Sequence, residues 1–140
     1  MAVRSASAKW EGTLKEGKGT LTTSLGEHQY SFNSRFEEGT GTNPEQLIAA
    51  AHAGCFSMAL NSTLHKQDTP PEYINTEAKV EMRQGDSGAY ISHIELVTEG
   101  KVPGIDEETF KKLAEQTKDG CIISKALSAV PMSVTATLVS

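Results

Sequence analysis

Two cysteines far apart in the chain, Cys55 and Cys121, carry its clearest chemical signal. Cys55 lies inside an alanine-rich helical run, Leu47 to Leu60, and Cys121 follows Gly120 at the start of a second helical run, Ile122 to Leu127. One thiol held by a helix and another presented at a helix start are the minimum equipment for reversible thiol–disulfide chemistry. A helix start suits the reactive form, because its free N–H groups favour thiolate. Cys55 equally fits a plain core thiol, since cysteine is among the most buried residue types. No C-x-x-C motif links the two, so any pairing depends on the fold.

Three further side chains could assist a thiol. Arg35, flanked by Phe32 and Phe36, reads as the end of a strand from which a guanidinium reaches a partly dry site, or as a surface arginine. Glu45 falls in the first turn of the first helix, where a carboxylate complements the dipole. His52 precedes Cys55 by three positions and could polarise its thiol, or be a hydrogen-bonded core histidine. The scattered histidines and two distant cysteines do not give the tight local spacing of a zinc site. Nor is there a glycine-rich phosphate loop. No metal or cofactor is implied.

The elements that must position these groups are legible in outline. Lys9–Leu14 and Gly19–Ser24 alternate with period two around a Glu16–Gly19 turn, and Gln29–Asn33 adds a third short strand, as in a meander. After a polar loop over residues 37–43, Asn43 caps a helix, Pro44 takes its first position and Gln46 completes a capping box. The helix runs to Leu64, before Asp68-Thr69-Pro70-Pro71. It is apolar and small-residued on nearly every face, which predicts burial against a sheet or a copy of itself. Tyr73–Met82 and Ala89–Val102 read as a hairpin turning at Asp86-Ser87-Gly88. Asp106 caps a helix with Phe110, Leu113, Ala114 and Thr117 on its inner face, ended by Gly120. Pro131–Val139 is the closing strand. This order is that of an α+β fold, a single domain over residues 1–140.

Composition narrows the partners. A formal charge of −5 with no basic block argues against nucleic acid and against a helix adsorbed on a membrane surface. No stretch is expected to reach the ~20 apolar residues of a membrane span. Residues 1–10 lack an apolar signal core, so a cytoplasmic protein with a small substrate is expected.

Phe32-Asn33-Ser34-Arg35-Phe36 and the block from Gly41-Thr42-Asn43-Pro44-Glu45 through His52-Ala53-Gly54-Cys55-Phe56-Ser57-Met58-Ala59-Leu60 closely resemble the OsmC/Ohr family. Val102-Pro103-Gly104-Ile105 and Gly120-Cys121 resemble its later landmarks, and the wording is nearer the OsmC branch. The resemblance implies an intertwined homodimer with antiparallel sheets around long central helices. It also implies thiol-dependent reduction of organic hydroperoxides in oxidative or osmotic stress defence, with a dithiol reductant, a lipoyl type among them. By position Cys55 would be the peroxidatic cysteine, Cys121 the resolving one, Arg35 the thiolate-stabilising arginine and Glu45 its bidentate partner. Ile122 stands where the family commonly has proline, leaving the backbone beside Cys121 less constrained. If Phe36, Phe56, Met58 and other apolar groups line the mouth, organic hydroperoxides would be preferred over hydrogen peroxide. The other use of such a pair is redox sensing or stress binding without turnover.

Glu45 and Cys55 are ten positions apart, so on one straight helix they would lie ~15 Å apart along the axis and ~80° apart around it. Either the helix breaks after its first turn, or Glu45 and Arg35 serve the Cys55 of a second subunit.

Overall fold

A computed structural model describes residues 2–139, so the two ends of the expected 1–140 domain, Met1 and Ser140, lie outside the described residues. The chain forms two compact units, Met1–Leu47 and Ile48–Ser140.

In the first unit β1 (Ser7–Glu11), β2 (Lys18–Thr23) and β3 (Gly26–Tyr30) form an antiparallel meander. The expected third strand is shifted: pairing starts at Gly26 and stops at Tyr30. Beyond it Phe32–Phe36 is a short helix, α1, and not a strand end. The cause is local. Ser31 and Ser34 cap it reciprocally, the Ser34 N–H donating to Ser31 Oγ at 3.1 Å and the Ser31 N–H to Ser34 Oγ at 2.8 Å. A serine thus does the work usual for Glu or Gln at the third position of a capping box.

α2 (Pro44–Lys66) starts in the first unit and continues through the second without a break. Asn43 caps it as expected, accepting from the Gln46 N–H at 2.8 Å. The Gln46 side chain accepts from Thr42 Oγ1 rather than reaching back to the cap. By length and composition α2 is large enough to cross a membrane, contrary to the expectation that no stretch is. Its buried side chains, however, are His52, Phe56, Leu60 and Leu64, a single i, i+4 stripe packed into the second unit. Within the single chain the opposite face is uncovered: Met58 is 78% exposed, and a methyl group added at Gly54 would meet nothing.

The rest of the second unit encloses that stripe. β4 (Tyr73–Gly85) and β5 (Gly88–Lys101) pair as the expected antiparallel hairpin, and β6 (Met132–Val139) joins β5 in parallel, so this sheet is mixed. A parallel neighbour needs a crossover, which α3 (Glu107–Gly120) and α4 (Ile122–Ala126) supply. α3 buries Phe110, Leu113, Ala114 and Thr117, its predicted face. Phe56, Leu60, Leu64, Leu96, Val102, Phe110 and Cys121 belong to one apolar cluster. Each large aliphatic or aromatic chain so buried contributes about 1.5–3 kcal/mol.

Candidate active site

The first unit holds an arginine–carboxylate pair. Arg35 Nε donates to Glu45 Oε1 and Nη2 to Glu45 Oε2, both at 3.0 Å, a two-point fork. Arg35 comes from α1 and Glu45 from the first turn of α2, and two short ties fix those elements together. Ser34 Oγ donates to the Thr42 carbonyl at 2.8 Å, and Asn43 Nδ2 to the Ser34 carbonyl at 3.0 Å. The intervening loop is held to β3 by the Thr42 N–H on the Gln29 carbonyl. Gly41 makes that approach possible: its φ is +106°, and a Cβ there would lie 2.5 Å from the Gln29 oxygen. The hydrogen bonds that Arg35 donates to Glu45 raise the Arg35 pKa further, and the guanidinium is a permanent charge. It also stands over the Phe36 ring, 5.2 Å from the centroid.

The second unit holds both thiols, unpaired. Cys55 is half-buried and packs against the apolar cluster that includes buried Cys121. Cys121 closes α3, its N–H bonding the Thr117 carbonyl, and opens α4, its carbonyl accepting from Lys125. Its backbone is extended, φ −69° and ψ 150°. Two helix ends thus fix the residue despite Ile122, whose side chain is 77% exposed.

The Cys121 sulfur has a polar partner that the sequence reading missed. Its thiol donates to Ser124 Oγ at 3.1 Å and accepts the Ser124 N–H at 3.3 Å. Ser124 Oγ is in turn 2.7 Å from His52 Nε2. His52 is fully buried, and burial pushes its pKa below the ordinary value. Its other nitrogen, Nδ1, has no hydrogen-bond partner. His52 is thus a hydrogen-bonded core histidine, facing the serine beside the other cysteine. The signal available for Ser124 was its place three residues after a helix-capping Cys121. Of the apolar groups considered for a substrate mouth, Phe56 is a fully buried core residue. Among the described residues no three His, Cys, Asp or Glu side chains gather as metal ligands.

A family model described as OsmC-like protein matches residues 37–135, which include Glu45, both cysteines, His52 and Ser124. The chain belongs to the OsmC family. Among curated relatives of this OsmC-like chain, peroxiredoxin OsmC of Escherichia coli is 47% identical over 125 residues, 87% of each protein. The organic hydroperoxide resistance protein OhrB of Bacillus subtilis is 32% identical over 99 residues, 67% of this chain and 68% of that one. The crystal structure of OhrB superposes with a TM-score of 0.74 at 27% identity, covering 97% of the OsmC-like chain and all of its own.

Proposed function

We propose that this protein is a thiol peroxidase that reduces organic hydroperoxides through Cys55 and Cys121. The observation that carries the reading is the unpaired pair of thiols on one packing cluster, in a chain 47% identical to a peroxiredoxin. Thiolate is the attacking form, and Cys55 is the more accessible sulfur. Attack on the peroxide transfers one oxygen to Cys55 and releases an alcohol. Arg35, fixed by Glu45, stabilises the thiolate and the negative charge developing on the departing oxygen. Cys121 then condenses with the sulfenic acid to give a disulfide and water, and a dithiol of lipoyl type reopens it. That reductant argues for a cytoplasmic setting.

The reading includes a homodimer. α2 leaves Met58 and Gly54 uncovered while burying only its opposite stripe, and a second copy on that face would cover them. Because α2 is continuous, Glu45 and Cys55 are separated by ten helical positions. Arg35 and Glu45 therefore serve the Cys55 of the other subunit.

The test is consumption of an organic hydroperoxide with a dithiol reductant, comparing the wild type with Cys55→Ser. Turnover that disappears in Cys55→Ser is the expected result. A disulfide that forms without turnover would replace the enzyme with a redox sensor, and no reaction would leave two inert thiols.

A further inference from the structure

The geometry points to Ser124 and His52 as the groups that receive the Cys121 proton when that thiol closes the disulfide, an assignment that rests on the peroxidase reading. Two observations converge on it. The Cys121 thiol donates into Ser124 Oγ at 3.1 Å, and the same oxygen lies 2.7 Å from His52 Nε2. With Nε2 unprotonated, the order S–H, O–H, Nε2 runs from the sulfur to a base. All three residues are at most 5% exposed, so solvent competes poorly for the proton: Cys121 is 3%, Ser124 4% and His52 0% exposed.

The relay fixes the tautomer of His52, whose other ring nitrogen, Nδ1, has no hydrogen-bond partner. With Nε2 accepting from Ser124, Nδ1 carries the hydrogen of the neutral ring. Burial, which lowers the His52 pKa, keeps that ring neutral and able to accept.

In the resolving step the Cys121 sulfur attacks the sulfenic sulfur of Cys55, the new S–S bond forming as the S–O bond breaks. The Cys121 proton passes to Ser124 Oγ as the Ser124 proton passes to His52 Nε2. The oxygen leaves Cys55 as hydroxide and takes up a proton to become water, and the imidazolium gives one up. Cys121 is oxidised and Cys55 reduced to the disulfide level, with one water released. Ser124 touches the reacting sulfur and is catalytic in this step. His52 acts through Ser124 and is a positioning residue that orients the hydroxyl and holds the proton.

Two measurements test the relay, one of them independent of peroxide chemistry. The first follows Cys55 sulfenic acid, trapped with a cyclic 1,3-diketone, and disulfide formation after a single equivalent of cumene hydroperoxide. Ser124→Ala and His52→Gln should form disulfide at least ~10-fold more slowly and accumulate sulfenic acid. Ser124→Thr, which keeps the hydroxyl, should stay within about twofold of the wild type. Wild-type resolution rates in Ser124→Ala or His52→Gln would overturn the assignment. The second is the 15N spectrum of the reduced wild-type protein, which should show His52 neutral and protonated at Nδ1. A proton on Nε2 instead would make His52 the donor and overturn the relay, whatever the peroxide assay gives. Absence of any wild-type sulfenic acid or disulfide would instead remove the peroxidase reading, and the relay as a step with it.

Discussion

At the scale of single residues, the Arg35–Glu45 pair adds little to stability, and its proposed role in the peroxide reaction is separately testable. The Arg35 side chain is 40% exposed and the Glu45 side chain 12%, and an ion pair with one partner this open to water gives about 1 kcal/mol at most. Glu45→Gln should therefore leave the unfolding midpoint nearly unchanged. Its first-step peroxide reaction, followed by stopped flow, should slow by about 10- to 100-fold as the fork loosens. An unchanged rate would remove the pair from the mechanism. His52 predicts a pH effect with a definite sign. In the unfolded chain it takes up a proton as pH falls through its ordinary 6.5, whereas in the buried site it resists until lower pH. The unfolded state binds more protons in that window, so the contribution of neutral His52 is complete above 6.5 and is lost progressively below it. Urea titrations at pH 7.5 and 5.5 should show a larger loss for the wild type than for His52→Gln. Equal losses would mean that the imidazole is not held neutral by the fold.

At the scale of elements, the helices were legible because their signals are local. The Asn43-Pro44 start, the Asp106 cap and the Phe110, Leu113, Ala114, Thr117 face all stand where the sequence puts them. α1 was not legible as a helix: its five residues are too few to show a period, and its signal is an unusual serine–serine cap. The parallel direction of β6 was hidden too, since strand alternation carries no information about its neighbour's direction. The fork partners Arg35 and Glu45 were named from residue type and resemblance, but the ties that hold them, Ser34 and Asn43, follow only from the folded backbone. Asn43 both caps α2 and tethers α1, so Asn43→Ala should lower stability by about 1–2 kcal/mol. An unchanged denaturant midpoint would show the cap to be replaceable.

At the scale of the whole molecule, the composition of α2 conflicts with its setting in one chain. A helix apolar enough to cross a membrane buries one stripe and leaves Met58 exposed, which a homodimer would resolve. Met58→Glu should shift sedimentation from twice the chain mass toward the single chain, with the second unit still folded. A variant that still sediments as a dimer would place the interface elsewhere. In the proposed reaction peroxide oxygen goes first to Cys55, and Cys121 then removes it. Intact mass after one equivalent of cumene hydroperoxide tests this most directly. The wild type should lose two hydrogens, Cys121→Ser should gain one oxygen on Cys55, and Cys55→Ser should be unchanged. Oxygen gained at Cys121 in Cys55→Ser, or a wild type left unmodified, would contradict it.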